Sequence, residues 1–306
     1  MGISQEDQLI AKLESDGDYK ILRRLKLMSD PRIKAQSAGQ KLGTRIGICL
    51  DTETTGFNAL TDKIIEIGIV SFEYVPSTGE IVRVLDRYSA FEDPGVPLSE
   101  EVKHVTGITD EQLKGQAFND VEVTAFAEKA SLVICHNSGF DRLFMEKRFP
   151  VFIKKAWACT LSQIDWKKEY ITSRSLDYLL FRCGGYFIDA HRALNDAEGV
   201  LGLLLSTLPA TGRSVFQVIR EQAAAPTCKV MAVGAPFEAK DVLKDRGYCW
   251  NDGANGKAKA WWTDIAESAV KEEMAFLGKN VFRHGNTSTV VVSKIDAYDR
   301  FSSRAG

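Results

Sequence analysis

The chain has 306 residues, 44% of them hydrophobic, and 39 Lys and Arg stand against 41 Asp and Glu for a formal net charge of −2. This length and apolar content can bury a substantial core, as one large domain with a smaller one or as two domains. The near-balance of charge excludes a whole-surface attraction to nucleic acid or to an anionic membrane, so any basic contact surface must be local. The six cysteines (Cys49, Cys135, Cys159, Cys183, Cys228, Cys249) are scattered, with no CxxC pair and no clustered His. That argues against a zinc cage or a disulfide framework and fits reduced thiols in a cytoplasm. The opening MGISQEDQLIAKLES carries acids and lacks an apolar core of signal-peptide length, and Glu6 stands where a myristoylation signal has Ser or Thr. No apolar stretch is long enough to cross a bilayer, so a cytoplasmic protein with no membrane partner is expected.

In chain order, residues 6 to 28 carry apolar residues at roughly helical spacing (Leu9, Ile10, Leu13, then Tyr19, Leu22, Leu25), interrupted by SDGD, which predicts two short helices. From Lys20 to Arg45 eight cations (Lys20, Arg23, Arg24, Lys26, Arg32, Lys34, Lys41, Arg45) face one acid, Asp30. Such a stretch is either a solvated basic face or an arm along a phosphate backbone. RIGICL, KIIEIGIVSFEYV and IVRVLDRYSAF are rich in β-branched residues and separated by turn signals, which predicts a meander of three antiparallel strands. After Pro94 and Pro97 come two short helical pieces in LSEEVKHVTGITDEQLKG and a capped helix in NDVEVTAFAEKA. A short strand, SLVICHN, runs into the helix SGFDRLFMEKRF; AWACT is a further strand, and SLDYLLFRCG and HRALNDAEGVLGLLLSTL are helices. Hairpin strands followed by alternating strands and helices imply an α/β architecture, a mixed sheet with helices packed on it. SVFQ at 214–217 has the spacing of a capping box opening another helix, and AAAPT ends it. The domains read as a basic helical extension over 1–44, a main domain over 45–210, a helical linker over 211–227 and a small α+β module over 228–306.

The chemistry centres on DTETTGF at 51–57, directly after the apolar IGICL. In an extended strand side chains two apart face the same way, so Asp51 and Glu53 project together while Thr52 turns aside. Two close carboxylates repel unless a cation joins them, and an all-oxygen set suits Mg²⁺ or Mn²⁺; a surface turn is the other reading of the pair. Two more acids occur at strand-to-helix junctions. In VICHNSGFDRLF, Asp141 sits in the first turn of a helix, where an acid also serves as a cap, and in DAHRALNDAEG, His191 precedes Asp196 by five residues. Five helical residues turn by about 140°, so both reach one centre only if His191 lies in the loop before the helix.

These three segments resemble the three exonuclease motifs of the DEDD superfamily, in its DEDDh or DnaQ-like branch, which includes the proofreading epsilon subunit of bacterial DNA polymerase III. DTETTG matches the first motif, HNSGFD the second and HRALNDA the third, whose His-x4-Asp marks the histidine branch. VTGITDEQL resembles the family's connecting segment with Thr106 where many members have His, and CTLSQ resembles a stretch often reading Asp-Thr-Leu, with Cys159 replacing the acid. The resemblance covers about residues 45–208. It implies a ribonuclease H-like fold and a 3′-to-5′ exonuclease releasing nucleoside 5′-monophosphates from a nucleic-acid 3′ end, with single-stranded DNA favoured over RNA. It further implies that Asp51, Glu53, Asp141 and Asp196 hold two Mg²⁺ or Mn²⁺ ions, with Asp51 bridging, and that His191 is the general base. Thr52, Thr54, Thr55 and Gly56 would let a terminal nucleotide lie against the strand exit, and Phe57 or Phe140 would stack on a base or simply pack in the core.

The C-terminal stretch LKDRGYCWNDGANGKAKAWW interleaves Lys244, Arg246, Lys257 and Lys259 with Tyr248, Trp250, Trp261 and Trp262. It reads either as a grip on single-stranded nucleic acid or as the module's own core, and it is similar to an appendage found after some bacterial exonuclease domains. An exoribonuclease of the same branch and a non-catalytic nucleic-acid-binding module are the rival readings of the whole chain, and a polymerase or repair partner is compatible with the first.

Overall fold

The computed structural model describes residues 5–15, 17–33, 43–253, 258–282 and 285–305. The chain divides into two compact units, 1–220 and 221–306. The first unit begins with helix α1 (Gln5–Glu14) and a two-residue strand β1 (Arg23–Arg24). Three long strands follow, β2 (Arg45–Thr54), β3 (Ile64–Tyr74) and β4 (Ile81–Phe91), at the three β-branched runs. Helices α2 (Glu100–Thr106), α3 (Asp110–Leu113) and α4 (Asp120–Lys129) lead to β5 (Ala130–Cys135), α5 (Ser138–Arg148) and β6 (Trp157–Cys159). Helix α6 (Leu176–Gly184), the short β7 (Tyr186–Phe187), α7 (Ala193–Leu204) and α8 (Val215–Ala224) complete the run, the unit boundary falling inside α8 rather than at AAAPT.

Five strands form one sheet in the order β4-β3-β2-β5-β6, antiparallel from β4 to β2 and parallel from β2 to β6. The expected mixed sheet with flanking helices is therefore what forms, with β2 at its centre. Helix ends follow local chemistry. Ser99 caps α2 through the Val102 N–H, Thr109 and Gln112 make a reciprocal capping box on α3, and Asn119 caps α4. The Ser214 hydroxyl accepts from Gln217 N at the start of α8, as SVFQ indicates.

What positions the site is how α7 meets the sheet. Asp51 pairs with Gly68 across β2 and β3, and Glu53 with Glu66, so these four residues share one face. A Cβ at Gly68 would stand 2.1 Å from the Ala193 carbonyl carbon and 2.2 Å from Leu194 N. The first turn of α7 thus rests directly on the backbone of β3.

The N-terminal segment differs from the expectation of two helices and a basic extension. Only α1 forms. Beyond it β1 pairs in parallel with β7, and Leu25 and Leu27 are buried, Leu25 lying where a Cβ on Gly202 of α7 would be. Of the apolar residues that spacing assigns to a second helix, Leu25 covers α7 instead, while Tyr19 and Leu22 are exposed. The cations follow: Arg24 pairs with Asp189, and Arg32 binds Asp30, the Gly202 carbonyl and the Ser206 hydroxyl. Both face protein groups; Lys34 and Lys41 lie outside the described residues.

The second unit contains β8 (Thr227–Val233), α9 (Lys240–Asp245), β9 (Cys249–Asn251), β10 (Ala260–Ala266), α10 (Val270–Asn280) and β11 (Val290–Ile295). Its sheet runs β11-β8-β10-β9, fully antiparallel. Val230, Ala232, Leu243, Tyr248 and Leu277 form its core, with Trp261 packed against them. Of the basic and aromatic residues singled out there, Arg246 pairs with Glu272 and Glu273, and Tyr248 donates to Glu273. These serve the module's own fold, whereas Trp250 is exposed and Lys257 lies outside the described residues.

Gly68→Ala is expected to destabilise the protein by about 1–3 kcal/mol or more, because its Cβ meets backbone that no rotamer change can move. Denaturant titration followed by circular dichroism reads this as a lowered midpoint; an unchanged midpoint would mean α7 does not bear on Gly68.

Candidate active site

β2 delivers Asp51 and Glu53 to the sheet face beneath α7, and a register shift between Glu53 and Thr54 ends its regular pairing with β3. The chain then turns. Thr54 Oγ1 donates to the Gly56 carbonyl at 2.6 Å, and Thr55 Oγ1 to Asp62 Oδ1 at 3.3 Å. A Cβ at Gly56 would come within 2.6 Å of the Asp62 carboxylate, so a side chain there would displace Asp62 from the turn.

The second segment opens with Asn137 at φ 85°, a left-handed conformation that Asn tolerates, and α5 begins at the next residue. Asp141 in its first turn is buried, and its Oδ1 accepts from Thr52 N at 3.1 Å and from Thr52 Oγ1 at 2.9 Å. Thr52 is therefore committed to Asp141. The third segment places His191 in the loop before α7, as the five-residue spacing requires. Its φ of 65° puts a non-glycine residue in the left-handed region, which costs of order 1–3 kcal/mol and persists only where neighbours enforce it. Asp196 lies one turn into α7 and accepts from Arg192 N at 3.2 Å.

Side-chain oxygens of Asp51, Glu53 and Asp196 all lie within 4.8 Å of one another. With Asp141, His191, His136, Asn137, Phe140 and Thr52 they line one cleft of about 240 Å³. A second groove of about 270 Å³ is lined by Thr52 to Phe57, Phe140, Val102, Val105 and Thr106 among others. All eleven predicted site residues thus line one or both hollows. Phe57 is 84% exposed, with its ring edge-on to Phe140 at 6.3 Å, so core packing does not account for it.

The electrostatics are those of crowded acids. Burial drives the Asp51 carboxyl well above its ordinary range, and the charges of Asp141, Asp196, Glu53 and Glu66 push it further. Burial first, then Asp196, Glu66 and Asp141, raises Glu53 to about 8. Asp141 is raised to about 7 by burial, against the hydrogen bonds from Thr52, and Asp196 to about 6 by burial, against backbone N–H groups. Three carboxylates this close make an oxygen-only donor set suited to a hard divalent cation.

Three residues at the site were not singled out from the sequence. Glu66, 1% exposed, sits across from Glu53 and binds Arg192. His136 bonds the Thr160 hydroxyl and the Arg174 carbonyl, each at 2.8 Å, and burial holds its pKa below the ordinary value. A lone acid inside the apolar run KIIEIGIV was the available signal for Glu66, because a buried charge needs a partner; nothing local pointed to Arg192.

The RNase_T family model, described as Exonuclease, matches residues 48–204, just over half of the chain and all five of the proposed catalytic positions. The chain belongs to the DnaQ-like exonuclease family. DNA polymerase III PolC-type proteins of Thermotoga maritima and Halalkalibacterium halodurans are 31% and 34% identical to this chain over 189 and 164 residues. These stretches cover 56% and 51% of this chain but only 13% and 11% of those relatives. Among solved structures, Exonuclease X in complex with 5′ overhanging duplex DNA covers 57% of this chain and 99% of its own at 20% identity and a TM-score of 0.43. A zinc-bound E. coli ExoI–ssDNA complex covers 73% of this chain and 63% of its own at 12% identity and a TM-score of 0.48. Among the described residues no helix is long and apolar enough to cross a membrane.

The raised carboxyls fix a pH dependence. Unfolded carboxyls titrate near pH 4, so between roughly pH 4 and pH 8 the folded chain holds more protons than the unfolded chain, and stability falls as pH rises through that window. The melting temperature in chelator is expected to drop from about pH 5 to about pH 8.5, with Mn²⁺ opposing the drop at the upper end and Asp51→Asn flattening it. A flat profile in chelator would contradict the crowding of these acids.

Proposed function

We propose that the chain is a DEDDh-type, metal-dependent 3′-to-5′ exonuclease that hydrolyses the terminal phosphodiester of nucleic acid, single-stranded DNA before RNA, and releases nucleoside 5′-monophosphates. The observation that carries this reading is the convergence of Asp51, Glu53 and Asp196 oxygens within 4.8 Å, in a cleft that Asp141 and His191 also line. A non-catalytic binding module would have no use for that set. The DNA polymerase relatives favour DNA as substrate.

Two Mg²⁺ or Mn²⁺ ions held by Asp51, Glu53, Asp141 and Asp196 would supply an activated water and neutralise charge at the scissile phosphate and the leaving 3′ oxygen. Asp51, whose carboxyl feels the charges of Glu53, Asp141 and Asp196 together, would be the ligand shared between the ions; Glu53 and Asp196 lie beside it, and Asp141 stays anchored on Thr52. His191, on the exposed loop before α7, takes the proton of the attacking water on a ring nitrogen and passes it to solvent. The backbone turn over Thr54, Thr55 and Gly56 gives the terminal nucleotide a shallow, side-chain-poor wall. Phe57 and Phe140 line the same groove and would stack on its base.

Incubation of 3′-labelled DNA and RNA oligonucleotides, single and double stranded, with Mg²⁺ or chelator tests the reading. Labelled mononucleotide should appear at the first turnover, only with metal, and Asp51→Ala should abolish it while leaving the circular dichroism spectrum unchanged. Release in chelator, or loss of 5′ label first, would sink it. Phe57→Ala should weaken single-strand binding by about 1–3 kcal/mol, the worth of one stacked base, with little change in kcat; unaltered affinity would remove Phe57 from the substrate groove.

A further inference from the structure

Glu66 lies in β3 directly across from Glu53, on the sheet face that α7 covers, and is 1% exposed. A carboxylate so buried needs a partner, and Arg192 provides it. Arg192 Nη2 donates to Glu66 Oε1 at 3.1 Å, and Nε lies 3.3 Å from both oxygens. Oε2 also accepts the backbone N–H of Ala193 at 3.3 Å, so one carboxylate grips side chain and main chain at the first step of α7. The guanidinium lies over the Phe91 ring, 5.4 Å from its centroid, which limits its swing. Arg192 in turn offers its own N–H to Asp196 Oδ2, and the residue before it is His191, held at φ 65°. Two positions along β3 from Glu66, Gly68 carries the backbone of Ala193 and Leu194.

We propose that Glu66 is a positioning residue: by holding Arg192 and the Ala193 N–H it fixes His191 and Asp196 against Asp51 and Glu53. Its consequence for turnover rests on the nuclease reading; its consequence for the loop does not. Glu66 need touch neither substrate nor cation, because both its oxygens are engaged by Arg192 and Ala193. The pairing also balances the charge of a fifth acid beside four others, which left alone would repel Asp51 and Glu53 further.

The test uses the full chain. Glu66→Gln keeps the shape and an acceptor for Ala193 but removes the charge that holds Arg192. Amide exchange of residues 188–196, followed by mass spectrometry, is expected to quicken by about tenfold while exchange in β2 and β5 stays the same. On 3′-labelled DNA kcat should fall about 10- to 100-fold with KM unchanged. Arg192→Ala should reproduce both effects, Arg192→Lys should recover part of the rate, and the double variant should be no worse than Arg192→Ala alone. Losses that add in the double variant, or unchanged exchange over 188–196, would overturn the proposal. So would a rise in the Mg²⁺ needed for half-maximal rate with kcat preserved, which would make Glu66 a cation ligand. If Glu66→Gln does not fold, Arg192→Ala, whose side chain is 45% exposed, carries the same exchange and rate readings. If the unaltered chain cleaves nothing, the nuclease reading fails by itself and the exchange comparison still decides the role of Glu66.

Discussion

The gathering of Asp51, Glu53, Asp141 and Asp196 in one cleft at the start of α7, where burial raises all four carboxyls and the others push Asp51 and Glu53 further, is the constraint around which the first unit is arranged. Two unit charges about 5 Å apart repel by about 3 kcal/mol at an effective dielectric of about 20, and burial adds a desolvation cost. Within DTETTGF, Thr52 eases Asp141 alone, by donating to it. The offset comes from the sheet behind it. Ile48, Leu50, Ile65, Ile67, Ile69 and Val70 are fully buried in β2 and β3, and each such side chain contributes about 1.5–3 kcal/mol. The strand that presents the acids is therefore held by neighbours on either side, and the acids occupy its end, where a cation and solvent can reach them.

Three separate elements bring the acids together, and each is set by short-range chemistry at its own start. β2 alternates its side chains, which puts Asp51 and Glu53 on one face and turns Thr52 aside, its N–H and hydroxyl donating to the Asp141 that lines the same cleft. α5 opens after a left-handed Asn137. α7 opens after a left-handed His191 and is pressed onto β3 where Gly68 has no side chain. Glu66 and Arg192 close this last junction. The same helix is covered from its far side by Leu25, which explains why the segment after α1 runs extended rather than helical. The apolar surface of α7 was worth more to that segment than a second short helix, which in isolation gains little.

The second unit spends most of its conspicuous residues on itself. Arg246, Tyr248 and Glu273 form a polar group against the core, and Trp261 packs on Ala232 and its neighbours. A small module has few large side chains with which to exclude water, so Trp261 is drawn onto its core while Trp250 stays exposed.

The antiparallel meander, the α/β architecture and the acids that come together in one cleft were legible in the sequence because each depends on local pattern: period-two alternation in β2, caps at helix starts, and acids placed at strand and helix ends. Family membership rests on the same short segments. The partner of Glu66, the use of Arg24 and Arg32, and the path of residues 21 to 33 were not legible. Glu66 and Arg192 are 126 positions apart, and Arg32 and Ser206 are 174 apart. Local spacing carries no information about such pairs, and a basic run reads the same whether its charges face solvent, a phosphate or a carboxylate folded in from elsewhere. Sequence by itself determined which residue types would carry the chemistry and on which kind of element each would sit. Only the packing of α7 on Gly68 decided where His191 and Asp196 stand, because closing that distance takes the whole sheet and not any one segment.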